Sequence, residues 1–212
     1  MALTTVKNAG LAGSIDLANK VTGTLPVASG GTGLTSGTSG QFLKFTGSTT
    51  LASATDTQGL SEVDMWRLIS DFTQNADPIT NNFERCDTDN FTKIGTGMSH
   101  SSGTFTFGTT GIYKVTWNSA HRRNGENPGL ETGIEYSTNS GSSWSEVATC
   151  KPTLQEYTST VYASASCHGI IDVTNASTYR VRFVVRNAFD AYTNGGTSSN
   201  TTYAIFEKLG DT

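Results

Sequence analysis

The chain has 212 residues, enough for one fair-sized domain and an extension, and its net charge is −4. That balance leaves no broad basic surface for a phosphate backbone, so nucleic-acid binding is not expected. No run of about 18 apolar residues occurs, so no membrane-spanning helix and no membrane insertion is expected. Apolar residues make up 35% and charged residues 15% of the chain, with Thr, Ser and Gly filling the remainder. Thr favours strands while Gly and Ser favour turns, which predicts an all-β chain of many short strands. Three cysteines, Cys86, Cys150 and Cys167, form neither an even framework nor a metal-spaced set, so they read as small buried hydrophobes. Cys150 and Cys167 would pair only if their strands are neighbours, and assembly in a reducing cytosol weighs against it. The lead Met1–Asn8 lacks a charged start followed by an apolar run, so it does not read as a secretory signal.

Residues 1–58 form the first region. Ile15, Leu17, Val21, Leu25 and Val27 are strung along a chain broken by Gly23, Pro26 and the Gly30-Gly31-Thr32-Gly33 run. They make neither a helix stripe nor a long strand, so they need copies of themselves or a host surface to cover them. The order I-D-L-x-x-K-V-T-G-x-L-P-V-x-x-G-G-T-G, within 13–33, resembles a segment of bacteriophage tail-fibre and related virion proteins. The resemblance implies an extended region that interlocks three chains and anchors them to a particle. The glycine run carries no G-x-x-x-x-G-K-[S/T] or G-x-G-x-x-G pattern and is not a phosphate cradle. Further on, Phe42, Leu43 and Phe45, closed by Gly47, read as a hairpin arm.

Residues 59–83 read as a linker helix and its approach, with the helix over 60–76. Ser61 and Asp64 resemble a capping box. Met65, Leu68, Ile69 and Phe72 fall on one helical face, Trp66 widens it, and Asp77-Pro78 stops it.

Residues 84–212 read as one domain; 79–90 look irregular, and from Phe91 on the chain reads as strand after strand, near 91–96, 103–107, 111–118, 130–138, 143–150, 157–167, 169–173 with 178–187, and 201–209. Tyr113, Val115 and Trp117 alternate with Lys114, Thr116 and Asn118. Tyr179, Val181, Phe183 and Val185 alternate in the same way with Arg180, Arg182 and Arg186. Those arginines read as a solvated or subunit-facing sheet surface, with anionic glycans as the alternative. The order Gly103-Thr104-Phe105-Thr106-Phe107-Gly108, then Gly111-Ile112-Tyr113, and the closing strand Thr202–Leu209 resemble the C1q/tumour-necrosis-factor-like jelly roll. The resemblance covers 84–212 and implies a compact homotrimer. Phe105, Phe107, Tyr113 and Tyr203 would then be core or trimer-axis aromatics, with Trp117 and Phe206 as further core candidates. Asp64–Leu68 and Ile94–Met98 resemble segments of marine phage virion proteins.

Ser137-Thr138-Asn139-Ser140-Gly141-Ser142-Ser143-Trp144 nearly matches the Asp-box of sialidase propellers, with Asn139 in the Asp place. One copy does not make a propeller, and the pattern reads as a hairpin turn with Asn139 and Gly141 in left-handed geometry and Trp144 folded over it. No nucleophile, metal or cofactor motif is present: His100, His121 and His168 are scattered, and neither H-E-x-x-H nor G-x-S-x-G occurs. Glu126, Glu131, Glu135, Glu146 and Glu156 read as turn and outward solubility charges. A non-enzymatic chain without cofactors is therefore expected. The loops 120–128 and 189–196 mix Arg and Asn with Tyr, groups that stack on sugars and bond their hydroxyls. Arg122, Arg123, Asn124, Tyr192 and Asn194 are the receptor-binding candidates. The expectation is a trimeric virion appendage that meets other virion proteins and a host-surface glycan or protein. The alternative is a capsid fibre, decoration or cement protein that stabilises the particle without a receptor.

Overall fold

In the computed structural model the described residues are 31–34, 36–48, 50–54, 59–73, 75–87, 92–123, 129–155 and 160–212. The chain divides into two compact units, Met1–Gln58 and Gly59–Thr212. Among the described residues every helix or strand is a strand. In the first unit β1 (Phe42–Gly47) and β2 (Thr50–Ala54) form an antiparallel hairpin. Ile15, Leu17, Val21, Leu25 and Val27 lie outside the described residues.

The second unit is a sandwich of two antiparallel sheets. One holds five strands in the order β10 (Ser145–Cys150), β9 (Glu131–Ser137), β12 (Arg180–Arg186), β7 (Thr104–Thr106) and β6 (Ser99–Ser101). The other runs from β5 (Phe83–Arg85) through β3 (Val63–Leu68), β14 (Tyr203–Gly210) and β8 (Gly111–Arg123) to β11 (Tyr162–Val173). β8 organises this sheet. One of its edges is paired along its length by β11, and the other is shared end to end by β14 and the short β13 (Ala191–Thr193). β4 (Phe72–Thr73) pairs with β13 outside it.

Alternation decides which side chains fill the gap between the sheets. Tyr113, Val115 and Trp117 point inward from β8, and Val181, Phe183 and Val185 point inward from β12; all are essentially buried. Trp117 stacks on Phe183 with ring centroids 4.5 Å apart. Phe105 packs against the rings of Trp66, Phe83, Phe183 and Phe206 at 5.1–5.5 Å. Each such ring removes a large apolar area from water and adds an edge or stacking contact, which makes this cluster the main source of stability. Phe107 and Phe206 are buried as well, whereas Tyr203 is half-buried and points out of the sandwich.

The helix expected over 60–76 is not formed. The segment holds β3 and β4 instead, and β3 lies inside the sheet between β14 and β5. Its apolar residues suit a helical stripe, but in the sheet Trp66 and Leu68 turn to the core while Met65 turns outward, and pairing on two edges, not periodicity, selects the strand. Ile69, which belongs to the expected helical face, is 38% exposed. Asp64 is not a cap. It is 1% exposed and accepts bonds from Met98 N at 2.8 Å, Trp66 Nε1 at 3.0 Å and Arg85 Nε at 3.0 Å. Those charge-assisted bonds lock β3 to β5 and to the chain before β6. Residues 59–83 thus belong to the sandwich unit.

Several strand expectations shift: β8, expected over 111–118, runs on to Arg123, and β13 takes 191–193 out of the expected loop 189–196. Of 92–96, only Ile94 pairs, as an isolated bridge to Val63. The break expected at residue 168 is absent, because β11 runs unbroken from Tyr162 to Val173 along β8.

Candidate functional site

The outward faces of the two sheets differ in chemistry. On the five-stranded sheet, β12 presents Arg182 and Arg186 and its neighbour β9 presents Glu131 and Glu135. Arg182 Nε donates to Glu135 Oε2 at 2.6 Å and its guanidinium lies 4.2 Å from the Trp144 ring. Arg186 bonds Asp77 at 2.6 Å, Glu131 at 3.4 Å and also Glu135. Arg180 donates to the carbonyls of Tyr179 and Ser177 at 2.7 and 2.8 Å. The arginine row that the sequence offered to anionic glycans therefore has its donors turned to protein acceptors. Glu135 faces outward as expected but is not a solvated charge: it is 7% exposed, and Arg182 and Arg186 hold it.

The outward face of the seven-stranded sheet keeps its Asp, Glu, Lys and Arg side chains out of its central row. Register places Met65, Ile205, Thr116 and His168 in one row across β3, β14, β8 and β11. The next row holds Arg67, Tyr203, Asn118 and Ser166. On this face Arg67 is paired with Glu84 at 2.6 Å and Lys114 with Glu207 at 3.2 Å. Ile170 and Tyr162 are each 66% exposed on β11. Thr116 Oγ1 is buried yet has no hydrogen-bond partner. A depression of about 290 Å³ lies between Asn118, Ser164, Ser166, Thr201 and Tyr203. Sequence alternation exposes Thr116 and Asn118 as one face, but not that β3 and β14 extend it.

At one end of this sheet the receptor candidates meet in part. Tyr192 and Arg122 are register partners, and the Arg122 guanidinium lies over the Tyr192 ring at 3.7 Å. Arg122 also reaches Asp71 Oδ2 at 3.1 Å, while Asp71 Oδ1 accepts from Gly195 N at 2.9 Å. Asp71 escaped the sequence reading because it lies in the segment taken for a helix. The arginine covers one face of the tyrosine ring that was expected to stack on sugar. Asn194 bonds Ala120 O through its backbone, and its Oδ1 is buried without a partner. Arg123 ends β8, and Asn124 lies outside the described residues.

The histidines do not converge. His100 packs among Trp66, Phe83 and Phe105, and its Nε2 accepts from Gly103 N. His168 is exposed on β11. His121 is fully buried between Ser119 Oγ at 2.9 Å and Thr193 Oγ1 at 3.2 Å. Burial without a carboxylate partner pushes its pKa down to about 4, which keeps the ring neutral. Desolvation, foremost, raises Tyr113 to about 12; its hydroxyl reaches buried Glu62 at 3.0 Å. Among the described residues no group of three His, Cys, Asp or Glu side chains is arranged to hold a metal ion. The Asp-box-like segment is a turn in which Asn139 Oδ1 accepts from Ser143 N at 3.0 Å. Its left-handed residues are Ser140 and Gly141, so the position expected for Asn139 belongs to its neighbour. A Cβ on Gly141 would lie 3.3 Å from the Trp144 ring, which covers the turn.

The sandwich with this strand order is a TNF-like jelly roll. It is similar to Eiger TNF from S. frugiperda, with a TM-score of 0.52 at 9% identity over 73% of this chain and 96% of that one. It is likewise similar to murine APRIL, with a TM-score of 0.51 at 9% identity over 70% and 98%. At such identity the likeness defines the fold class. No family model matches the chain, and no curated protein matches it in sequence.

Proposed function

We propose that this chain is a non-enzymatic, self-associating structural subunit, a homotrimer built through the outward face of the seven-stranded sheet and seated on a phage particle by its N-terminal region. The observation that carries the self-association is the contrast between the faces. One sheet turns a closed ionic lattice to solvent. The other presents Met65, Ile205, Tyr203, Thr116 and Asn118 at its centre, flanked by the Arg67–Glu84 and Lys114–Glu207 pairs. A second copy removes the half-buried Met65, Ile205 and Tyr203 from water. The TNF-like fold supports the same reading. The virion assignment rests on the residue order between Gly13 and Gly33. In it, other virion proteins hold residues 1–58, and the Arg122–Tyr192 end meets a host-surface glycan or protein.

The test is the mass by light scattering of the full chain beside one beginning at Gly59. A trimer in both supports assembly through the sandwich. A trimer in the full chain only moves the assembly device to the first region, and a monomer in both overturns the reading. Host-cell adsorption by Arg122→Ala and Tyr192→Ala tests the attachment end; unchanged adsorption by both removes it.

A further inference from the structure

We propose that Cys150 and Cys167 are a redox modification site, closed by a low-molecular-weight disulfide into an internal disulfide that staples the two sheets along the seam between β10 and β11. β10 is the outer strand of the five-stranded sheet and β11 the outer strand of the other. Three observations bring the thiols together there. Cys150 is the register partner of Thr132 on β9, and Cys167 that of Trp117 on β8. Trp117 Nε1 donates to Thr132 Oγ1 across the core at 2.7 Å, so the cysteines occupy matching places one strand further out on each sheet. Along the seam, Val147 packs on Gly169 so tightly that a Cβ there would sit 2.0 Å from Val147 Cγ1. Moving from Val147 to Cys150 on one strand, and back from Gly169 to Ser166 on the other, reaches the next contact. There Cys150 Sγ donates to Ser166 O at 3.2 Å, one residue from Cys167. The Cys167 thiol is itself within hydrogen-bonding reach of Cys150.

The two thiols are unequal. Both are free, but Cys150 is half-buried while Cys167 is 4% exposed. Cys86, the third cysteine, is buried elsewhere beside Asn200. With glutathione disulfide as oxidant, the Cys150 thiol loses its proton to water and its thiolate attacks one glutathione sulfur. The glutathione disulfide bond breaks, one glutathione thiolate leaves, and a mixed disulfide remains on Cys150. The Cys167 thiol then gives up its proton and attacks Cys150 Sγ, and the second glutathione thiolate leaves. Two protein thiols are thereby oxidised by two electrons and one glutathione disulfide is reduced to two glutathiones. Desolvation, with Cys150 beside it, pushes the Cys167 thiol up to about 12, so closure is the slower step and quickens with rising pH.

The test treats the full chain with glutathione disulfide, alkylates the remaining thiols and maps the peptides by mass spectrometry, with Tm read in parallel. The expected result is the loss of two hydrogen atoms and one linked peptide pair carrying Cys150 and Cys167. Cys86 is alkylated, and Tm rises until a reductant reverses it. Cys167→Ser should stop at a glutathione adduct on Cys150, and Cys150→Ser should show no oxidant-dependent Tm. A persistent adduct on the unsubstituted chain, a link between two chains, or a closed bond that leaves Tm unchanged would overturn the proposal.

Discussion

The two outward faces of the sandwich are built from the same alternating strands, yet they solve opposite problems. On β9 and β12, Arg182 stands opposite Glu135 and Arg186 opposite Glu131, so these charges are matched within one chain. On β3, β14 and β8, the charges stand aside in the Arg67–Glu84 and Lys114–Glu207 pairs, and the centre holds Met65, Ile205, Tyr203, Thr116 and Asn118. The difference teaches where a second copy belongs. A charge lattice resists being covered, because desolvation must be repaid by new partners. An uncharged centre has no such cost.

The sharpest way to break this comparison is to carry charge from one face to the other. Ile205→Glu places a carboxylate in the centre of the plain face and should dissolve the oligomer into folded monomers. Sedimentation checks the mass and circular dichroism checks the fold; an intact oligomer would place the interface elsewhere.

Beneath the plain face, on the core side of β8, lies the second largest effect. His121 has a folded pKa of about 4, below its unfolded value, so the unfolded chain binds the extra proton between those values. Stability from this group is complete above the unfolded pKa and is lost as pH falls toward the folded one. The loss over that window is about 3 kcal/mol. Urea midpoints measured from neutral pH down to about 4.5 should fall accordingly, and a flat profile would mean that the ring is not held buried and neutral.

On the ionic face, Arg186→Ala strips Glu135, Glu131 and Asp77 of one partner and should cost about 2 kcal/mol. The oligomer should keep its mass, and a changed mass would contradict the division of labour between faces. Smallest of all, Lys114→Ala removes a pair to Glu207 whose side chains are 41% and 27% exposed. It should shift stability by less than about 1 kcal/mol in a urea melt.

The sandwich was legible because β8 and β12 are long, central and strictly alternating, so Tyr113, Trp117, Val181 and Phe183 announce their inward side. β3 was not. Met65, Leu68, Ile69 and Phe72 are spaced as a helical face, and what overrides that spacing is β14, which comes from the far end of the unit. The role of Asp64 was hidden for the same reason, since Arg85 and Met98 reach it only after the sheet has formed. The plain face could be read on β8 alone. Its extent depends on register, which no local pattern encodes. Likewise Arg122 and Tyr192 were singled out for their chemistry, but that they would cover each other follows from their pairing across β8 and β13.

The position of β14 also sets the order of events during synthesis. It lies between β3 and β8, so on that edge the earliest strand of the unit pairs with the latest, Trp66 opposite Ala204. Contacts this distant in sequence carry a large loop-closure entropy and make folding slow. While the nascent chain is still on the ribosome, β3 and β8 each wait with an open edge. The unit closes only after Tyr203–Gly210 have cleared the exit tunnel, so trimming that strand should abolish the fold of Gly59–Thr212, not merely fray its end.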